Sequence, residues 1–214
     1  MRRSGWLVLG LAVLGVAWLG PLPTLASHSF AAHMTMHMAV VAIAAPLLAA
    51  GMAGTVADPV RTMPHIVAPI PASMVDLVVV WTWHVPALHQ AARHGTGAFA
   101  LEQVTFLLAG LLLWSSALGG DREQRRLRAG SGIAALLFTS MHMTLLGALF
   151  ALTTRPLFPH RSSPDVSSLT DQHLGGVIML LVGGASYLAG GLWLTATALR
   201  SRSAPSTGRE ESLA

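Results

Sequence analysis

The stretch Ser27–Leu48, SHSFAAHMTMHMAVVAIAAPLL, decides how the chain reads. Its second half is apolar, and its first half interleaves His33 and His37 with Met34, Met36 and Met38. On a helix, residues four apart stack on one face at roughly 6 Å. Two imidazoles so placed can share one small ion, and thioethers beside them bias the choice toward a soft one, Cu(I) first. The plain alternative is packing at a helix mouth, which is the commoner fate of a lone histidine. The rest of the chain has to decide.

Outward from that stretch, 53% of the 214 residues are hydrophobic and 10% are charged, where a soluble domain carries about 25% charge. Mean hydropathy is +0.60. The fold class that follows is an all-α polytopic membrane protein. The chain has no cysteine, which excludes disulfides, zinc-thiolate sites and cysteine redox chemistry. The 13 basic residues are all arginines in short tails and loops, where membrane orientation accounts for them. The pI near 11.3 therefore does not point to nucleic acid.

Residues 1–26 begin with Arg2 and Arg3, continue as an apolar run over Trp6–Leu19 and end beyond Pro21 and Pro23. They read as an N-terminal transmembrane helix or a signal-like segment, with the uncleaved helix preferred. Five more apolar segments follow, at Phe30–Ala53, Ala72–Ala91, Gly97–Leu118, Ser131–Leu152 and Leu174–Leu199. The expected architecture is thus about six transmembrane helices in an irregular bundle. It comprises 1–26, a five-helix membrane domain over 27–199 and a disordered cytoplasmic tail over 200–214. Pro46 and Pro86 should kink or locally unwind their helices. DREQRRLR, Asp121–Arg128, reads as a solvated cytoplasmic loop. With both termini cytoplasmic, ten arginines fall inside and Arg93, Arg155 and Arg161 outside, in accord with the positive-inside rule.

On that topology nine of the ten histidines share the outer face. His28, His33 and His37 belong to the second segment, His84 and His89 to the third, His142 to the fifth and His173 to the sixth, with His94 and His160 in outer loops. Only His65 falls inside. Ionisable groups within a bilayer are costly and read as functional by default. Met141 and Met143 flank His142, repeating the Met-His-Met of 36–38; against that, methionine is a common packing residue. Asp171, beside His173, could orient an imidazole or cap a helix. Glu102 could bind metal, carry protons or merely reach the interface. Asp76, toward the inner end of its segment, lies too far away to join the cluster.

HMTMHM followed by AAPLL, then WTWHVPALHQAA, FTSMHMTLLGALF and LTDQHLGGVIML, together resemble the CtaG-type cytochrome c oxidase assembly factor family. The likeness spans about Phe30 to Leu181. It implies a polytopic inner-membrane protein that helps to mature a haem-copper oxidase by supplying copper. It carries His33, His37, His84 and His142 over as functional positions, with Asp171-Gln172 marking the last motif. The chain departs from the family pattern at Phe99 and Gln103, around Glu102, where the resemblance implies a His-x-x-x-His pair. His89, His94 or His173 would then substitute.

The reading is a non-enzymatic copper-handling assembly factor of the bacterial inner membrane. Its metal set is His33, His37, His84, His142, His173, Met34, Met38, Met141 and Asp171, holding Cu(I). Its partners are haem-copper oxidase subunits, a periplasmic copper donor and membrane lipid, with no nucleic acid. Two alternatives stay open: a bis-His haem b protein and a transition-metal transporter. Transport requires polar groups continuing to the inner side, and the inner halves of these helices read as almost uniformly apolar. A hydrolase has no HExxH or comparable motif to stand on.

Overall fold

The computed structural model describes residues 3–64, 66–158 and 167–202. His65, His160, Arg161 and the tail from 203 onward lie outside that range. Among the described residues there is no strand, and the chain is all-α. The elements are α1 (Arg3–Leu19), α2 (Leu22–Ala26), α3 (Phe30–Met52) and α4 (Pro59–Thr62). They continue as α5 (Pro69–Trp83), α6 (Pro86–His94), α7 (Thr96–Leu118), α8 (Arg122–Leu152) and α9, from Ser168 to Arg202. Four of these are long and apolar enough to cross a membrane: α3, α7, α8 and α9. The α5–α6 pair, bent by 74°, makes a fifth candidate, and α1 is a shorter apolar helix beside them. The chain is a polytopic membrane protein, as the apolar segments lead one to expect.

The central helix is α3, whose apolar span is 67% buried against 22% for α9. Its middle, Ala39–Ala44, is a π-helical turn immediately before Pro46. Proline has no N–H and its ring crowds the carbonyl four residues back, so Pro46 cannot donate to the carbonyls of Val41 and Ala42. In hydrocarbon those oxygens must find other donors. Trp114 Nε1 of α7 donates to Val41 O at 3.0 Å, and Ser186 Oγ of α9 donates to Ala42 O at 2.6 Å. The break in the ladder thus ties α3 to two neighbours.

Pro86 has the larger effect. Helix α5 stops at Trp83 and α6 starts at Pro86, where a proline at the first position of a helix forfeits no hydrogen bond. The single segment expected over Ala72–Ala91 is therefore two helices at an angle. Small residues set the closest crossings. A Cβ on Gly176 would lie 2.6 Å from Gly147 O, and one on Gly51 2.6 Å from Leu7 Cγ. The first brings α9 onto α8; the second seats α1 on α3.

The bundle has a histidine end and an arginine end. At the arginine end the buried Asp58 carboxylate accepts from the amides of Gly54 (2.6 Å), Gly120 (2.7 Å) and Val60 (3.0 Å), pinning two connections together. The Asp121–Arg128 loop expectation is corrected here. Asp121 caps Gln124 N at 2.8 Å, Gln124 Oε1 accepts from Asp121 N at 3.0 Å, and Arg122 already belongs to α8. This capping box starts the helix. Arg126 then pairs with Glu123 at 3.2 Å, and Arg128 donates to Val67 O.

Candidate metal centre

His33 and His37 lie one turn apart on α3, and their rings meet edge to face with centroids 4.2 Å apart. Ser29 caps this helix by accepting from Ala32 N, and Asp171, reaching across from α9, completes the cap. Its carboxylate accepts from Phe30 N at 2.6 Å, Ser29 Oγ at 2.7 Å and Ala31 N at 3.2 Å. Three donors saturate it. Asp171 therefore fixes where the histidine-bearing turn begins and faces no imidazole through these bonds.

The partner of the two histidines is Glu102, one and a half turns into α7. Its Oε1 lies 3.3 Å from His33 Nε2 and 3.5 Å from His37 Nε2, and the two Nε2 atoms are 2.6 Å apart. All three side chains are buried. Two imidazole nitrogens and one carboxylate oxygen thus converge on a point, the one such trio among the described residues. Gln103 orients it. Trp18 Nε1 of α1 donates to Gln103 Oε1 at 3.1 Å, which turns the amide nitrogen toward Glu102 Oε2 (3.3 Å) and His37 Nδ1 (3.5 Å). A donor at Nδ1 assigns the His37 ring proton to Nε2, where it bridges to His33 Nε2. A cation taken up at this point needs the Nε2 lone pair, so the ring proton has to move to Nδ1.

Two more imidazoles flank the trio. His89 of α6 packs on His33 at 4.6 Å, and His84, just past the end of α5, lies 6.0 Å from His37. His84 Nδ1 lies 2.6 Å from Val80 O, so the ring donates there and leaves Nε2 with a free lone pair. This is the arrangement typical of a ligating histidine. Phe30, Phe106, Phe150 and Phe158, all buried, wall the group: Phe106 against His37 (4.2 Å), Phe150 stacked on His84 (5.5 Å), Phe158 against His89 (4.4 Å) and Phe30 on Phe158 (4.8 Å). A cavity of about 190 Å³ leads to His33 between Ser27, Arg93, His94 and Phe99, and it opens the site to one side. Arg93 donates to Ser27 O at its edge.

The structure redistributes the expected set. It brings together His33 and His37, with His84 beside them, and adds Glu102 and His89. His142 is elsewhere: its Nε2 lies 3.5 Å from Asp76 Oδ2, both side chains buried. From that pair it is eight residues along each parallel helix to the His84–Phe150 stack (Asp76 to His84, His142 to Phe150), or about 12 Å. The view that Asp76 is isolated near an inner end gives way to this contact, because α5 ends at Trp83 and the residue sits mid-bundle. His173 Nε2 is engaged at 2.8 Å by Thr153 O. Gln172 Oε1 accepts from Leu157 N at 2.7 Å. Met34 packs against Gly175, Met38 has its sulfur near Gly183, and Met141 is 62% exposed on the outer surface of α8.

The donors of the trio are two imidazole nitrogens and a carboxylate oxygen. Imidazole and carboxylate in that combination suit borderline ions, with Cu(II) bound most tightly of the first-row divalent ions. The residues fit a transition metal.

No curated protein and no solved structure shows detectable similarity to this chain. A match to the family described as cytochrome c oxidase caa3 assembly factor covers residues 1–201, through every helix that builds the site. The chain belongs to the cytochrome c oxidase caa3 assembly factor family.

Proposed function

We propose that this assembly factor is non-enzymatic and holds a copper ion at His33, His37 and Glu102, passing it to a subunit of a haem-copper oxidase. The observation that carries the reading is the convergence of Nε2, Nε2 and Oε1 in a phenylalanine-walled pocket. His84 and His89, one on either side, offer the ion alternative imidazoles on its way in or out. Delivery needs exchangeable ligands, and a site without thiolate meets that need. The histidine end faces the outer side of the inner membrane in this reading, where a periplasmic donor would load it. Imidazoles on one helix turn are too close to clamp a haem from its two faces, so the haem reading finds no support in this pair.

Metal analysis tests it. Protein purified from copper-supplied membranes is expected to carry copper, and His37→Ala or Glu102→Gln, at equal membrane levels, to lose the ion held at the trio. Copper retained in full by both variants would sink the proposal.

A further inference from the structure

The Asp76–His142 pair is unusual for a buried ion pair. Both carboxylate oxygens of Asp76, both ring nitrogens of His142 and Thr139 Oγ1, one turn earlier on α8, have no hydrogen-bond partner, and all three residues are at least 97% buried. Tyr187 of α9 lies within electrostatic range of Asp76. Unsatisfied polar groups at membrane depth are costly and mark sites for ions or protons. The pair is also badly made as a helix clamp. A protonated imidazole would hydrogen-bond the carboxylate, whereas Nε2 and Oδ2 stand 3.5 Å apart. That separation is close to the ~3.3 Å edge of a tetrahedron around an ion with bonds of about 2.0–2.1 Å. It also matches the 3.3 and 3.5 Å between Glu102 and its two histidines. A water molecule there would satisfy lone pairs but leave the carboxylate charge uncompensated; a cation does both.

We propose that Asp76 and His142, with the Thr139 hydroxyl, form a second station for a borderline transition-metal ion, about 12 Å deeper in the bundle than His84. The assembly factor then has two stations in series, joined along the parallel α5 and α8 by the His84–Phe150 stack. Polar groups thus reach the middle of the bundle. An ion can be drawn away from the mouth, which gives the protein a reservoir or an inward path. The inference stands on its own atoms and does not require the outer trio to bind.

Zn²⁺ counted per chain on the purified full-length protein in lipid nanodiscs tests it, with thermal melting to confirm folding. The expected count is two in the wild type and one in the His33→Ala/His37→Ala variant. Adding His142→Gln to that variant should remove the remaining ion, and adding Asp76→Asn should do so independently. A remaining ion that survives both additions overturns the inference. So does its absence from the folded His33→Ala/His37→Ala variant and from folded Glu102→Gln alike. A wild type with a single ion, lost with His142→Gln but kept without His33 and His37, upholds the inner station and refutes the outer one.

Discussion

Asp58 and Asp171 each accept three hydrogen bonds, mostly from backbone amides, whereas Glu102 and Asp76 turn bare oxygens toward imidazoles. All four carboxylates are buried. The first two sit where helices begin or connections meet, and their charge is spent on orphan N–H groups. The other two lie within helices, α7 and α5, where no orphan backbone amide is available, and only the Gln103 side chain donates to Glu102. A buried acid saturated by amides holds the fold; one left facing imidazoles is free to meet a cation.

Removing the saturated acids should have the largest effect on stability. Asp58→Ala leaves three amides without an acceptor, and Asp171→Ala leaves two amides and a hydroxyl. Hydrogen bonds to charged groups contribute about 1.5–3 kcal/mol each and do not add fully, so each variant should lose about 3 kcal/mol or more. Denaturation in detergent reads this out. The comparison breaks if either variant keeps wild-type stability.

Glu102→Gln should behave in the opposite way. With both imidazoles neutral the Glu102 charge is buried without a cation, a costly state that an amide of the same volume relieves, so its melting should stay within about 1 kcal/mol of wild type while metal affinity drops. A large loss of stability would place Glu102 with Asp58.

The smallest effect belongs to Met141→Leu, on the outer surface of α8. Stability should move by less than about 0.5 kcal/mol, and metal content should not change.

What was legible in the sequence was local. The His33/His37 pair follows from a four-residue spacing on one helix, the apolar segments from composition, and the break at Pro86 from proline geometry. Three facts needed tertiary register. Glu102 had three open roles because nothing in its own helix says which face meets α3. His89 gained its place because α6 turns back by 74°. Asp76 was placed toward an inner end because 72–91 was read as one kinked span; with the helix running Pro69–Trp83 the residue sits at its middle, level with His142. The methionines misled for a different reason. Met34 and Met38 share one side of α3, where Met34 meets Gly175 and Met38 meets Gly183 of α9. The arginine loop hid its helix behind charge, although Asp121 and Gln124 at the spacing of a capping box were there to be read.

X-ray absorption at the copper edge of loaded, purified protein tests the central claim most directly. The account predicts a nitrogen and oxygen shell with imidazole scattering, no sulfur neighbour, and loss of that spectrum in Glu102→Gln. A thioether shell would return the site to the methionines. Protein that takes up no copper at all would contradict the metal centre.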